Sequence, residues 1–483
     1  MTNGEHEQFD KDYLLQFRRV RLDKKMEQEL FHRALFSTHA HVKMLGETGI
    51  IAEASAERLL QAIDSIREEL KSGEDLIRAE DTDVYAAMER LLRDRVGEEF
   101  ILARTAKSHN DQAATDLRLW LRDAVLEIAD RILTLRRIFL DLAQRDIDTV
   151  MPGYTHMQPA EAILLSHWWL AGEARFCRDY SRLTDAYKRL NMLPLGANVM
   201  AGTREPIDRR MVAISLGFDD VIENSLDAVT DRDYLIEFGS FASLVGVHLS
   251  QLGGELLLWV TQEFAFARIP QHMLIESHTL HLKRNPEILE VLRARPALIF
   301  GRLMEFMTQL KGITIGFSQD LQECVPGVFE IVETLKILLD LAIGMLPGLE
   351  FDQNRMREVA CADLVNVSNA LDYLLNHGVE REIAGRAVEH LAHYCRTRHK
   401  YLSDLALSEW QQYSPAFEAD IYDYIAMEES VGAFCSYGGS SKGQVEMAMA
   451  RSKGHLQKDM AQLAELVAKS SQLSRQTSAP PAP

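Results

Sequence analysis

The sequence predicts an all-α protein built around a bundle of long helices. Apolar residues recur at helical spacing over most of the 483 residues, whereas few segments show the alternation typical of strands. The longest periodic run, 115–145, places Leu117, Leu121, Val125 and Ile128 on one face. The chain has only 13 prolines and 27 glycines, a low usage that favours uninterrupted helices. Long runs of this kind are typical of helical bundles.

The same spacing predicts further helices between breaks at glycine and proline. The predicted ranges are 23–45, 53–71, 84–95, 160–190, 227–266, 296–315 and 329–345, with shorter helices across 360–399. A change in composition at 348–354 indicates a domain boundary. We predict an N-terminal helical domain at 1–105, a central bundle at 106–354, a C-terminal helical domain at 355–459 and a partly disordered tail at 460–483, rich in Ser, Pro and Ala from 470 onward.

Composition and charge argue against several functions. The formal net charge of −19 at pH 7 disfavours binding to a nucleic-acid backbone as the main role. The apolar run 256–261 is short and flanked by Glu255 and Glu263, so no membrane span is predicted. Five scattered cysteines without a C-x-x-C pair argue against a disulfide framework and a cysteine zinc site. The polar segment 1–11 is unlike a signal peptide, and these features together predict a cytoplasmic protein.

Four polar stretches interrupt the helical pattern. In the most informative, 276–290, the residues Ser277, Lys283 and Asn285 precede Pro286, which suits the first turn of a helix. Backbone N–H groups at a helix start favour an anion, so a hydroxyl, an ammonium and an amide here suit a carboxylate-bearing substrate. Taken alone, the stretch is also compatible with a surface loop that carries ordinary charges.

The other three stretches lie at or near predicted helix starts. Residues 104–112 include Ser108, a possible helix cap, and residues 152–159 include His156, which titrates near neutrality. Residues 224–233 form a cluster of capping side chains. Each stretch alone fits a structural loop as well as a binding site. We find no histidine–carboxylate cluster at ligand spacing and no glycine-rich phosphate loop, so the sequence predicts no metal and no organic cofactor.

Together, the order and the amino-acid sequences of these stretches resemble those of the argininosuccinate lyases of the fumarase/aspartase superfamily. The likeness extends from about residue 23 to about residue 453. The matching pieces are Ser108, 110–112, 114–120, 152–156, 193–196, 201–203, 224–225, 227–228, 232–233, Lys283, 285–286, 320–322 and 438–439. The resemblance implies a three-domain fumarase/aspartase-like fold with a long central helical bundle.

The resemblance also implies a carbon–nitrogen lyase that releases fumarate from an N-substituted aspartate, or runs the reverse addition. In this family the serine at Ser277 removes a proton beside a carboxylate, and an aci-carboxylate intermediate forms. The implied catalytic residues are Ser277, His156, Lys283 and Glu290, and the implied substrate-binding residues are Ser108, His109, Asn110, Thr155, Asn285, Gln319, Gln322, Asp23 and Arg19. Family members are homotetramers whose active sites take loops from three subunits, so the resemblance implies the same assembly around a small-molecule substrate.

The serine loop departs from the family pattern. The family's glycine, second serine and proline are replaced by Glu276, His278 and His281, whereas Ser277 and Lys283 are kept. These changes remove a flexible residue and add titratable side chains. They affect the expected mobility of the loop rather than the assignment of the base.

The pocket for the amine half departs further. His109 replaces an arginine, Phe317 a tyrosine, Gln319 a lysine and Arg19 a serine. The loss of a hydroxyl and a positive charge removes hydrogen bonds to an arginine-derived amine. We therefore expect the usual succinyl half with a different amine half, and Arg19 would favour an amine that carries extra negative charge. Turnover of argininosuccinate at rates typical of a metabolic enzyme would remove the basis for this expectation.

Two alternatives remain from the sequence. One is a non-catalytic relative with a structural or binding role, as the family's eye-lens crystallins illustrate. The joint presence of Ser277, Lys283, Asn285, His156 and Glu290 argues against it. The other is an enzyme of the same superfamily with a different leaving group, such as a cycloisomerase. The sequence motifs of this chain are less similar to those of such enzymes.

Overall fold

The computed structural model describes residues 23–361 and 367–476, and the side chains of 427–429 and 471–476 fall outside this description. The α-helices are α1 (Lys24–Glu47), α2 (Glu53–Lys71), α3 (Val84–Val96), α4 (His109–Arg145), α5 (Leu165–Leu190), α6 (Arg209–Leu216), α7 (Ser225–Thr230), α8 (Asp233–Trp259), α9 (Glu287–Ala294), α10 (Pro296–Leu310), α11 (Asp320–Met345), α12 (Gln353–Cys361), α13 (Val367–Asn376), α14 (Arg381–Arg398), α15 (Leu407–Trp410), α16 (Ile421–Tyr424), α17 (Met427–Gly432) and α18 (Lys442–Gln476). The predicted all-α class is confirmed.

The strands in the described ranges are short. They are β1 (Val150–Thr155), β2 (Gln158–Leu164), β3 (Met192–Leu193), β4 (Asp220–Val221), β5 (Ala267–Arg268), β6 (Ile275–Glu276), β7 (Arg284–Asn285) and β8 (Glu350–Phe351). They form four separate two-stranded sheets: β1–β2, β5–β8 and β6–β7 are antiparallel, and β3–β4 is parallel. The β1–β2 and β6–β7 hairpins carry candidate site residues.

The long helices α4, α5, α8, α10 and α11 pack side by side as the central bundle. Helix α5 is antiparallel to α4, since Trp169 at the start of α5 lies 5.6 Å from Phe139 near the end of α4, measured between ring centroids. Helix α8 is antiparallel to α5 and therefore parallel to α4, because Trp259 at its end lies 4.6 Å from Trp168. Helix α11 is also parallel to α4, as the 3.6 Å stacking of Trp120 on Phe329 joins their first halves.

These directions give the bundle two ends with different loops. We call the end at which α4 and α8 begin the α4 N-terminal end, and the opposite end the hairpin end. Helix α4 has 37 residues, so it separates the two ends by about 55 Å. The loop before α11 lies at the α4 N-terminal end, whereas the β1–β2 and β6–β7 hairpins follow the carboxyl ends of α4 and α8.

Helix α8 is the one described helix that is long and apolar enough to cross a membrane by length and composition. It packs against α5, α9, α10 and α11, and residues such as Leu235, Val245 and Leu249 are fully buried. This packing is typical of the core helix of a bundle.

Several helix boundaries differ from the predicted ones. Residues 160–164 were predicted to be helical, but they belong to β2, because Val150 pairs with Leu164 at the base of the hairpin. The predicted helix 227–266 is divided into α7 and α8, since the side chain of Asp231 accepts the Asp233 N–H at 2.8 Å and starts a new helix. Helix α11 begins nine residues before the predicted start at Phe329, and Pro326 lies inside it at the cost of a single backbone donor.

The C-terminal part has a second core, separate from the bundle core. Tyr373, Trp410 and Phe417 are fully buried within it, on α13, α15 and the loop after α15. The last helix, α18, returns to pack on α4 and α5, and it extends through Gln476 beyond the predicted start of disorder at Ser470. The rest of the tail, 477–483, lies outside the described residues. The proposed boundaries near 105, 354 and 459 stay predictions.

Candidate active site

Several predicted substrate-binding residues meet at the α4 N-terminal end. A cavity of about 300 Å³ lies there between α1, α3, α4 and the start of α11. The predicted residues that line it are His109, Asn110, Gln319 and Gln322, together with Phe317. Side chains that lie more than 200 residues apart in sequence therefore share one pocket within a single chain.

A capping box fixes the start of α4 beside this pocket. The Ser108 hydroxyl accepts the Asn110 N–H at 3.2 Å, and the Ser108 N–H donates to the Asp111 carboxylate at 2.9 Å. The second Asp111 oxygen accepts the N–H groups of Gly196 and Asn198 at 2.9 and 2.7 Å. This buried carboxylate thus links the predicted capping residue to the loop that follows β3.

His109 faces an ionised carboxylate. Its Nε2 lies 3.8 Å from Oε1 of Glu89, and its ring lies 5.1 Å from that of Tyr85. Burial alone would raise the pKa of Glu89, but the nearby His109 ring and the Arg104 guanidinium, which donates to both carboxylate oxygens, lower it to about 2. A positive charge on His109 would therefore be balanced within the protein.

The serine loop connects β6 to β7 at the hairpin end. The Ser277 N–H donates to the Lys283 carbonyl at 3.0 Å, and the Ser277 hydroxyl accepts the Leu280 N–H at 3.1 Å. Glu276, which replaces the family's glycine, forms a 2.9 Å ion pair with Arg284 on the neighbouring strand. The loop is thus closed at its base, while its tip is exposed and Leu282 is 97% accessible to solvent.

Thr155 and His156 lie at the tip of the β1–β2 hairpin. Thr155 pairs with Gln158, so His156 and Met157 form a two-residue turn with φ values of 52° and 61°. Positive φ at both positions usually selects Gly or Asn, so a His–Met turn is strained. The turn holds the His156 side chain in an exposed position.

The candidate residues are therefore divided between the two ends of the bundle. Ser108, Asn110 and Gln322 lie at the α4 N-terminal end, whereas His156 and Ser277 lie at the hairpin end. Arg145 at the end of α4 donates to the Leu349 carbonyl at 3.1 Å, and the β1–β2 hairpin packs on the nearby α12, which keeps it at that end. One chain alone does not bring these two groups together.

Three candidates have not yet been placed, and the roles of all the candidate residues stay predictions. Asp23 caps α1 by accepting the Met26 N–H at 2.9 Å, and it lines a different cavity of about 460 Å³. Glu290 is exposed on α9, one turn after Pro286. Arg19 lies outside the described residues.

The sequence reasoning missed several residues that line the 300 Å³ cavity. They are Glu27, Leu30, Asp83, Tyr85, Leu117 and Val325. Helical spacing would have indicated Val325, because a side chain three residues after Gln322 shares its face. Glu27, Asp83 and Tyr85 gave no comparable signal, since only the tertiary structure brings α1 and α3 against α4.

A second, larger cavity does not contain the predicted site residues, and the described ranges show no metal site. Within the described ranges, no group of three or more His, Cys, Asp or Glu side chains is placed to hold a metal ion. A larger cavity, about 980 Å³, lies between α1, α2, α4 and α18, and none of the predicted site residues lines it. The smaller cavity, of about 300 Å³, is the one that contains the polar residues predicted from the family resemblance.

Two ionisable residues, the buried Asp116 and the half-buried Lys107, lie beneath the pocket. Burial raises the pKa of Asp116 to about 7, although Ser37, Lys107 and Tyr85 counteract part of the effect. Burial likewise lowers the pKa of Lys107 to about 8, against the attraction of Asp116. The Tyr85 hydroxyl donates to Asp116 at 3.2 Å and joins this pair to the pocket wall.

The raised pKa of Asp116 predicts a pH-dependent stability. Between its ordinary value of 3.8 and about 7, the folded state holds a proton that the unfolded chain has released. The free energy of unfolding should therefore fall as pH rises across this window, by at most roughly 4 kcal/mol from this group. Asp116→Asn should reduce the loss of Tm between about pH 5 and about pH 8, as measured by thermal denaturation. Asp130→Asn, at an exposed position of the same helix, is the control; an equal pH response in the wild type and Asp116→Asn would contradict this prediction.

Comparison with known proteins defines the class of the chain first. Residues 5–301 match a family described as lyase, and residues 365–432 match one described as argininosuccinate lyase C-terminal. The first match covers more than half of the chain, and with it the α4 N-terminal end and the serine loop. The protein is an enzyme of the lyase class.

Curated relatives then define the family. Argininosuccinate lyase from Crocosphaera subtropica is 40% identical over 430 residues, covering 89% of this chain and 93% of the relative. The enzyme of that name from Thermosynechococcus vestitus is 40% identical over 87% of this chain and 91% of the relative. This protein belongs to the argininosuccinate lyase family of the fumarase/aspartase superfamily.

Solved structures agree on the fold. EDDS lyase in complex with formate superposes with a TM-score of 0.85 at 24% identity, covering 96% of this chain and 93% of that chain. Class II fumarase from Schistosoma mansoni gives a TM-score of 0.72 at 13% identity, covering 87% of this chain and 94% of that chain. These two proteins therefore share the overall fold of this chain.

Proposed function

We propose that the protein is a carbon–nitrogen lyase that eliminates fumarate from an N-substituted aspartate. The substrate is argininosuccinate or a related N-succinyl amino compound, and the reverse addition of an amine to fumarate is equally allowed. The observation that best supports this proposal is the 40% identity to argininosuccinate lyases over nearly the whole chain. Retention of Ser277, Lys283 and Asn285 in one closed loop adds a chemical reason.

In the proposed reaction, Ser277 removes the proton on the carbon beside a substrate carboxylate. Such a proton is weakly acidic, so the enzyme must stabilise the negative charge that develops as it leaves. Lys283 lies in the same loop, Asn285 ends the strand β7 that follows it, and α9 begins two residues later with its backbone N–H groups. The loop therefore offers a positive charge and several donors next to the proposed base.

Proton transfer to the leaving nitrogen is assigned to His156, oriented by Glu290. Thr155 lies beside His156, while Ser108 and Asn110 would contribute donors from the start of α4. A serine is a poor base unless a cation or a helix start lowers its pKa, and water exclusion strengthens both influences. Closure of the serine loop over the substrate would provide that exclusion.

The proposed site requires more than one chain. His156 and Ser277 lie at the hairpin end, and Asn110 lies about 50 Å along α4 at the other end. Antiparallel packing of two copies would bring the hairpin end of one to the α4 N-terminal end of the other. We therefore propose a homotetramer with active sites shared between subunits, the assembly that family membership implies. A monomer in sedimentation at micromolar concentration would contradict it.

An absorbance assay for fumarate tests the proposed activity. The full-length protein should release fumarate from N-substituted aspartates, or consume fumarate when a suitable amine is supplied. Release that requires the intact protein would support the enzyme over a structural or binding role. Failure across a broad panel of N-succinyl compounds and amines would favour the non-catalytic alternative.

A further inference from the structure

We propose that Thr38, a buried residue of α1, is a positioning residue for the lyase reaction, because its hydroxyl holds the start of α4 in place. This inference rests on the proposed function, which takes donors from Ser108 and Asn110 at that start. Thr38 belongs to none of the four polar stretches and lines none of the cavities described above. Its contacts are buried within one chain, so they do not depend on how other chains complete the site.

The Thr38 hydroxyl joins α1 to α3 and to the start of α4. It accepts a hydrogen bond from the Lys107 Nζ at 2.8 Å and another from the Gln112 side-chain amide at 2.9 Å. Its own hydrogen is donated to the Met88 sulfur at 3.5 Å. A hydroxyl has two acceptor lone pairs and one donor, so all of its bonding capacity is used. Lys107 and Gln112 enclose the two proposed donors in the sequence, so one oxygen of α1 fixes the chain on both sides of them.

The Lys107 ammonium is a strong donor for this contact. Burial lowers the pKa of Lys107 to about 8, against the attraction of Asp116 and Asp111 on α4, so the side chain is still protonated at pH 7. A charged group inside a protein requires hydrogen-bond partners, and the Thr38 oxygen is one at short distance. Hydrogen bonds from an ionised donor are also stronger than those between neutral groups. The bond from Lys107 to Thr38 is therefore suited to fix the segment that precedes α4.

The turn that leads into α4 is strained and depends on such contacts. Ala106 has a φ of 58°, in the left-handed region that residues with a side chain rarely adopt. On one side of it, the His41 Nε2 donates to the Thr105 carbonyl at 2.8 Å, and on the other side Thr38 holds Lys107. A strained backbone persists only where its surroundings hold it. Loss of the Thr38 oxygen should therefore let the turn relax and displace the start of α4.

Thr38→Val removes the shared oxygen and keeps nearly the same side-chain shape. We expect kcat to fall at least about tenfold with a smaller change in KM, because displaced donors stabilise the charge that develops in the reaction less well. Steady-state release of fumarate from argininosuccinate measures both constants. The N-substituted aspartate that the full-length wild type turns over fastest is used as well, if it is a different compound.

Two further threonine variants separate positioning from packing. Thr38→Ser keeps the hydroxyl but loses the methyl group, so it should recover most of kcat if the oxygen is what matters. Thr115→Val is the matched control, because Thr115 is also fully buried but donates within its own helix, to the Asp111 carbonyl at 2.7 Å. It should lower the Tm about as much as Thr38→Val does and leave kcat near the wild-type value.

Lys107→Met tests the other end of the hydrogen bond. Methionine keeps an unbranched stem without the ammonium, so this variant should also lose kcat. The double variant Thr38→Val, Lys107→Met should lose less than the product of the two single effects, since both changes remove the same contact. Lys107 is only half-buried, so its variant also decides the question if Thr38→Val does not fold. A wild-type kcat in Lys107→Met would then contradict the inference.

The outcomes distinguish this inference from the proposed function. A loss of kcat in Thr38→Val that Thr38→Ser recovers and Thr115→Val does not share supports the inference. A wild-type kcat in Thr38→Val, equal losses in Thr38→Val and Thr115→Val, or no recovery in Thr38→Ser overturns the inference and leaves the lyase function intact. A wild-type protein that releases fumarate from no member of a broad panel of N-substituted aspartates overturns the proposed function and the inference with it.

Discussion

Replacement of Ser277 by alanine is expected to reduce turnover by at least about 1000-fold, because it removes the proposed base. Steady-state release of fumarate measures the effect. The substitution also removes the 3.1 Å hydrogen bond that the hydroxyl accepts from the Leu280 N–H, but the loop stays closed by the backbone bond from Ser277 to Lys283. Circular dichroism and sedimentation should therefore show an unchanged helical fold and assembly.

A neighbouring hydroxyl provides the control for this experiment. Thr279→Ala alters the same exposed loop without touching the proposed base, so it should retain most of the activity. Substantial fumarate release by Ser277→Ala would assign proton abstraction to another group. Equal losses in both variants would indicate that the loop conformation, rather than the serine hydroxyl, limits turnover.

Co-assembly of two inactive variants is expected to restore activity. Asn110→Ala damages the α4 N-terminal end, and Ser277→Ala damages the hairpin end, about 50 Å away along the bundle. If each site combines the two ends from different chains, random mixing in equal amounts leaves about one quarter of the sites with both residues intact. Denaturing and refolding the variants together, then measuring fumarate release, tests this expectation.

The result distinguishes shared sites from sites within one chain. If both residues acted within the same chain, every chain in the mixture would carry one defect, and activity would stay at the level of the single variants. Refolding each variant alone is the control, because it corrects for activity recovered by handling. A mixture no more active than these controls would contradict the shared site.

The differences between the serine loop and the family pattern have a structural consequence. Glu276 takes the place of a flexible glycine, and its ion pair with Arg284 ties β6 to β7 at the base of the serine loop. The tip, with Leu282 almost fully exposed, stays outside this constraint. We expect a closing movement to involve the segment from Ser277 to Lys283, which contains the proposed base and its cation.

The sequence by itself determined the fold class and the family of this protein. Helical spacing predicted the bundle, and the ordered polar stretches around Ser108, His156 and Ser277 indicated the lyase family. The fold class and the family can both be inferred from local patterns, because helical periodicity and sequence motifs each lie within a short stretch of consecutive residues. The errors occurred where local signals competed, as at 160–164, where pairing with β1 overrode a helical pattern.

Only the tertiary structure decided which residues share a pocket and which ends of the bundle they occupy. Glu27, Asp83 and Val325 come together because α1, α3 and α11 converge on the start of α4. Contacts between residues so far apart in the chain produce no periodic pattern in the sequence. The same packing directions place His156 and Ser277 at the end opposite Asn110. The direction of a helix within a bundle is set by packing across its whole length, so no single stretch of sequence carries that information.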